Sequence, residues 1–487
     1  MDACFAHDGH GTCGGIKDDN GKWNTAAHRD RIVWFGEEEL RTLSEAFEDG
    51  ADWQSVKLTS IHSQEIIEVL EKFAKFPKHV RDFQTIISGG FHETNAVDDR
   101  IIKKITVPAR LEQYEFIVKG PQFYIANPLY KTPREKCILN SDYDNVDLSY
   151  ISDRYEGRTN FVPALSITEY KKQIKGFLCG QKDGVPQYEE WVDYYKLAFR
   201  SQLSQAGERT LICALLPRRS AHIHAVISAA FRNGNDCVDM AALSSSIVLD
   251  FYMKTVAAGG LFPSRMYSFP LGTPPKYQSA LYLRTLLLNC LTRPYAELWE
   301  EMWREDYKLQ TWSLEDSRLK PFDTLTREWT WDIPLRNYFE RRQALVEIDV
   351  LSAMALGLSL RDLETMYSIQ FPVLKANEQD TWYDRRGGIV FTCSSGLKGV
   401  GVDRPTWERI RHLREGETYT HTIDPQKSEL YSGRQVTYYA PFTRCDRIAD
   451  YRRAWQHFSQ VYACTDEKKS LILQNKILER KETLWQE

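Results

Sequence analysis

The segment FYIANPLY, residues 123–130, closes a hydrophobic run on Asn127-Pro128-Leu129-Tyr130. An Asn side chain and the carbonyl after it can accept hydrogen bonds from an exocyclic amino group, while an aromatic ring stacks on the base that carries it. Leu129 stands where a second proline would stiffen that turn. The plainer reading is a strand that ends in an Asn-Pro turn and leads into a loop starting at Lys131. CFAHDGHGTC offers a second chemistry, with Cys4, His7, His10 and Cys13 at three-residue steps. Thiolates and imidazoles suit zinc, but four ligands this close strain a tetrahedron. The alternative is a polar loop without metal, and no metal is assigned. His222 and His224 are two apart and share one strand face, as metal or base contacts or as hydrogen-bonded strand histidines. Asp18-Asp19 reads as a solvated turn. No Ser/His/Asp order, GxSxG elbow, P-loop or HExxH is present, so hydrolase and NTPase readings have no support.

The elements that must position such residues are those of a multidomain chain. Its 487 residues imply roughly two to four domains. A hydrophobic content of 42% with 27% charged residues is ordinary for a globular protein. No apolar run of about 18 residues predicts a membrane span. Sparse, irregularly spaced cysteines read as reduced thiols and point to the cytoplasm. The net charge is −4, yet residues 109–235 hold 17 Lys+Arg against 14 Asp+Glu, a local +3 that leaves −7 for the rest. A basic module in an acidic chain is compatible with nucleic-acid binding.

Four regions follow from the patterning. Residues 1–108 contain a Gly/Asp-rich loop and two helical patterns, the second starting at Ser63 and placing Ile66, Ile67, Leu70 and Phe73 on one face. Residues 109–275 read as short strands and loops closed by one helix, MAALSSSIVLDFYMKTVAAGG. Residues 276–375 are helical, with an interruption at Pro294, a long helix ending at Gly357, and a short one opened by Ser359. Residues 376–487 mix strands with helices and end in a charged amphipathic segment. The expected fold is mixed α/β and multidomain: a mixed α/β domain, a helical region and a small α+β C-terminal region.

Several segments resemble one family in order along the chain. VKGPQFYIANPLYKTPRE resembles the entry strand of a target recognition domain, and GERTLICALLPRRSAHIH a buried strand within it. LSSSIVLDFYMKTVAAGGLFPSRMYSFPL is similar to the helix and Gly turn that come next. ALVEIDVLSAMALGLSLRDLETMY is similar to the helical pair that follows such domains. The family is the type IIG-like adenine-specific DNA methyltransferases, including those of restriction-modification and BREX- or DISARM-type phage-defence systems. The resemblance covers most of residues 110–375. It implies that the chain corresponds to the C-terminal half, which recognises double-stranded DNA. It also implies that S-adenosylmethionine belongs to a catalytic half or upstream polypeptide. Gly-rich turns that would hold that cofactor in this chain are weak. Gly14-Gly15 follows no strand, Gly387-Gly388 precedes one, and GLKGVG (396–401) leads only to a short helix opened by Pro405. The region 1–108 then joins the recognition domain (109–275) to that catalytic half, and this chain alone is expected to lack transfer activity.

Phosphate contacts need Lys, Arg, Ser or Thr on loops, and base contacts need Arg, Asn or Gln reaching into a groove. The candidates are Lys131, Thr132 and Arg134 in YKTPREK, Arg158, Thr159 and Asn160 in DRYEGRTNF, and Arg218 and Arg219 in LPRRSAH. Arg209 and Thr210 lie in an otherwise apolar strand and read as structural. The competing class is a non-enzymatic helical scaffold that docks partners of a defence complex. A self-sufficient methylase with an unusual cofactor pocket is a further alternative.

Overall fold

The computed structural model describes residues 1–10, 13, 24–47, 52–56, 64–256 and 259–463. Asp18-Asp19, Gly14-Gly15, Ser63 and the charged C-terminal segment lie outside the described residues. The fold is mixed α/β, with several small sheets among many helices.

The largest sheet has four antiparallel strands. β1 (Thr85–Ser88) pairs with the strand Val226–Phe231, which pairs with Lys196–Arg200, which pairs with Cys213–Leu216. Between β1 and these strands the chain forms β2 (Ile102–Pro108), β3 (Ile117–Val118), β4 (Lys131–Pro133), β5 (Tyr143–Asn145), β6 (Arg158–Pro163), β7 (Lys175–Lys182) and β8 (Val185–Glu190). β9 (Lys196–Arg200), β10 (Cys213–Leu216), β11 (Ala221–His222) and β12 (Val226–Phe231) complete the set. β10 and β12 are buried along their whole length without alternation, because both of their faces are covered. Strands from both sides of residue 109 pair: β1 with β12 and β2 with β6.

Two helices follow, α1 (Gly234–Ser245) and α2 (Ile247–Val256), where the pattern predicts one. Ser246 adopts an extended backbone between them. Its Oγ donates to Leu243 O at 2.6 Å, and the Ile247 N–H is taken by Asp349 Oδ1 at 2.8 Å. The carbonyls of Ser245 and Ser246 are held by the Arg209 guanidinium, each at 2.9 Å. Arg209 itself pairs with buried Asp250, whose carboxylate also accepts from the Thr210 and Leu211 N–H groups. Arg209 and Thr210 are therefore structural, as their apolar strand suggests.

The helical region contains α3 (Pro275–Asn289), α4 (Tyr338–Ala355), α5 (Leu360–Gln370) and α6 (Pro372–Gln379). α3 stops before Pro294, and α4 gives way to Gly357 at φ +73°. Asn337 with Glu340 and Ser359 with Asp362 form capping boxes at the starts of α4 and α5. One apolar core runs from Leu43 through the large sheet and these helices to Phe458. No helix among the described residues is long and apolar enough to cross a membrane.

Candidate nucleic-acid interface

Two open grooves meet on the face where β2 and β6 pair. The first, about 610 Å³, is bounded by residues 108–113 and 152–158 together with Thr132 and Leu430. The second, about 600 Å³, continues past Leu111, Glu112, Arg154 and Glu156 to Arg218, Arg219, Arg293 and Glu297. Their walls are set by local backbone chemistry. The turn at Leu111–Gln113 closes on Tyr114 at φ +60°. The Glu156 carboxylate accepts the Leu111 N–H at 2.8 Å, and its burial pushes its pKa up. Gly157 sits at φ +77° and its carbonyl accepts the Ala109 N–H; a Cβ there would sit 3.3 Å from Thr132 Oγ1. The loop therefore needs glycine to lie this close to β4.

The joined grooves carry Arg110, Arg154, Arg158, Arg218, Arg219 and Arg293 against Glu112, Glu156 and Glu297. Six guanidinium groups face three carboxylates on the walls, while Arg110 also pairs with Glu115 at 2.5 Å and Arg293 with Asp153 at 3.4 Å. Arg218 reaches Glu297 at 2.6 Å and Glu301 at 3.1 Å, and it stacks over the Tyr195 ring. Arg219 pairs with Glu112, and Arg158 pairs with Glu429 at 3.1 Å. These pairs are partly exposed. Arg154 is exposed where the grooves meet, and among the described residues its side chain makes no ion pair or hydrogen bond.

The sequence candidates divide. Arg158, Arg218, Arg219 and Thr132 line the joined grooves. Thr132 is buried there, and its Oγ1 accepts the Arg158 N–H at 2.9 Å. Lys131 and Arg134 stand apart from these walls. The Lys131 ammonium lies over the Tyr130 ring, and burial lowers its pKa. Arg134 pairs with Asp144 at 2.8 Å and donates to the Lys427 carbonyl. Thr159 and Asn160, expected on a DNA-facing loop, instead lie inside β6 and are buried. Thr159 Oγ1 donates to Ile117 O at 2.8 Å, and Asn160 Oδ1 accepts from Tyr143 at 2.7 Å. Their polar atoms hold neighbouring strands together, because a buried hydroxyl or amide must find a partner inside the protein. Arg110, Arg154 and Arg293 are not singled out by sequence. They come from three separate segments, and no local spacing joins them.

FYIANPLY is not a strand. Residues 120–122 form a single 3₁₀ turn, and 124–130 continue as tight turns, with the Tyr124 N–H accepted by Asn127 O at 2.9 Å. Asn127 Oδ1 accepts the Leu129 N–H at 3.1 Å, an Asx turn that occupies the oxygen. Carbonyls that a strand would pair are held by guanidinium groups instead: Phe123 O by Arg200 at 2.6 Å and Ala126 O by Arg341 at 2.9 Å. The Tyr124 and Tyr130 rings stack with centroids 5.0 Å apart, and the Tyr130 hydroxyl donates to Gly396 O. Together with Asn127 they line a cavity of about 170 Å³ against α4, Ser394, Gly396 and Leu397.

Two of the remaining candidates, His222 and His7, are bonded internally. His222 is buried, with its Nε2 2.8 Å from Ser228 Oγ, and burial pushes its pKa down to about 3. His7 Nδ1 accepts from Gly9 N at 3.0 Å, and its ring packs on His28. Among the described residues no group of three or more His, Cys, Asp or Glu side chains is arranged to hold a metal. The turn at GLKGVG leads into a helix of seven residues, Arg404–Ile410. No protein-family model matches the chain, and no curated protein matches it.

Proposed function

We propose that this chain is the DNA-recognition part of a site-specific adenine DNA methyltransferase of a restriction-modification or phage-defence system. It grips duplex DNA and presents an adenine for N6 methylation by a half that binds S-adenosylmethionine and is carried elsewhere. The observation that carries this reading is the pair of joined grooves, where Arg158, Arg218 and Arg219 converge with Arg110, Arg154 and Arg293. The ordered resemblance of four segments to type IIG-like methylases supplies the reaction.

Guanidinium groups suit this work because their planar fork matches phosphate oxygens. Binding begins at Arg154, which gives up no protein partner. Phosphates then compete with Glu112, Glu297 and Glu429 for Arg219, Arg218 and Arg158. Each exchange replaces a weak, partly exposed ion pair with a charge-assisted contact and releases counterions from the duplex.

Equilibrium binding of the purified chain to duplex DNA across a salt series tests the reading. A steep fall in affinity with salt, made shallower by neutralising Arg154, Arg158, Arg218 and Arg219, supports it. Undetectable binding at low salt removes it and leaves the helical scaffold as the better account. Titration with S-adenosylmethionine separates the recognition part from a self-sufficient methylase, and no binding is expected.

A further inference from the structure

β7 and β8 form a hairpin that, among the described residues, pairs with no other strand. Asp183 and Gly184 turn it at φ +51° and +76°, the paired left-handed conformations of a type I′ turn. Residues 178–188 are exposed without interruption. That includes Leu178 at 57%, Val185 at 60% and Tyr188 at 41%. A bare two-stranded ribbon is marginally stable in water, yet this one is clamped at its base. The Arg232 guanidinium lies over the Phe177 ring, reaches Glu189 at 3.3 Å and donates to Leu178 O at 3.3 Å. Lys171 pairs with Glu190, and Phe177 packs edge-on against Tyr194.

The clamp also fixes where the ribbon stands. β8 runs directly into the turn Trp191–Asp193, whose Val192 carbonyl accepts the Arg219 N–H at 2.7 Å. The hairpin therefore rises from the rim of the arginine groove. Its two basal carboxylates are paired, and Lys175, opposite Glu190 at the base, lies over the Tyr188 ring, which leaves Lys182 against Asp183 at the tip. The register places Gln187 opposite Gly180, where no side chain crowds it, and Lys182 opposite Val185. Among the described residues the Lys182 side chain makes no hydrogen bond or ion pair, and the Gln187 amide donates to the Val185 carbonyl at 3.2 Å.

We propose that this hairpin enters the DNA major groove and reads base edges, while the neighbouring arginines hold phosphates; Lys182 and Gln187, which share one face of the ribbon, are its specificity residues. The inference rests on the duplex-binding reading above. The major groove is about 12 Å wide and admits a two-stranded ribbon. Gln reads adenine and Lys reads guanine there, and an apolar side chain such as Val185, on the same face, meets thymine methyl groups. An edge without strand partners, clamped only at its base, suits insertion into such a slot.

The test uses the full chain and a pool of randomised duplexes, sequenced after retention at moderate salt. The wild type should yield a consensus. The variant K182A/Q187A should hold the pool within about threefold of wild-type affinity, because phosphates dominate binding. It should lose preference by roughly tenfold at each base it no longer reads. The variant R154A/R218A/R219A should show the opposite, weaker retention with an unchanged consensus. A hairpin double variant that keeps the wild-type consensus overturns the assignment, as does a wild type that binds without preference. A hairpin that docks a protein partner instead would also leave the consensus intact. If the wild type retains no duplex, the duplex-binding reading fails and the hairpin assignment fails with it. Thermal unfolding of each variant confirms that these exposed substitutions leave the fold in place.

Discussion

The arginines of the helical region and those of the grooves face different electrostatic problems. Arg284 is fully buried against Glu347, whose carboxylate also accepts from Ser313 and Gln343. Arg342 and Arg447 share Glu378, and Arg447 reaches Asp349 at 2.7 Å. These groups have left water, so the fixed acids beside them offset the cost of desolvating their charge. In the grooves the partners of Arg158, Arg218 and Arg219 are themselves exposed. An exposed pair contributes little and can be exchanged. The contrast shows how the same side chain serves as structural tie in one region and as available donor in another, with burial deciding which.

Removing one partner should separate the two populations most clearly. Glu347→Ala leaves the Arg284 charge buried and should cost about 3–5 kcal/mol. The paired replacement Arg284→Met with Glu347→Leu should cost much less, because no charge is stranded. Denaturant unfolding measures both. Equal losses for the single and double variants would mean that packing, not charge, holds this site.

In the grooves, Arg154→Ala, Arg218→Ala and Arg219→Ala should each change stability by less than about 1 kcal/mol. Each should instead make the salt slope of duplex binding shallower by about one for every phosphate that the missing guanidinium had neutralised. A large stability loss at Arg218 would move it into the structural population.

Acid should act on the buried region first. Burial raises the Glu378 pKa, but Arg447 and Arg342 outweigh it and hold the carboxyl at about 2. Its contribution is complete above the ordinary value of 4.5 and is lost as pH falls toward 2. Neutral His222 titrates at about 3 when folded and at 6.5 when unfolded. Between those values the unfolded chain binds the proton that the folded chain refuses, so stability falls as pH falls from 6.5 toward 3. His222→Asn should flatten the upper part of that decline in urea unfolding measured across pH.

Features that depend on neighbouring residues were legible in the sequence. Ser359 with Asp362 and the stop at Gly357 are local, and both appear as expected. The break at Ser246 was not legible, because Ile247 N is bonded to Asp349, 102 positions away. FYIA reads as a strand by composition, but its carbonyls are claimed by Arg200 and Arg341 from distant segments. The candidate site divides in the same way. Arg158, Arg218 and Arg219 stand out as charged loop residues, whereas Arg110 and Arg293 join them only through the tertiary fold. Thr159 and Asn160 looked polar and loop-borne, but the pairing of β6 with β2 draws them inside.

The smallest expected effect lies where FYIANPLY meets the C-terminal region. The Tyr130 ring is buried against Tyr124, and burial raises its pKa, so the hydroxyl remains a donor at any ordinary pH. That donor goes to Gly396 O, 266 residues along the chain. Tyr130→Phe keeps the ring stack and removes only this tie, which should cost about 1 kcal/mol. Tyr130→Ala removes the stack as well and should cost about 3–5 kcal/mol. If the segment is a structural turn, duplex affinity should be unchanged in Tyr130→Phe while the melting temperature falls slightly. A loss of duplex affinity without a change in stability would instead place Tyr130 in the DNA-binding machinery and blur the boundary between the buried and groove populations.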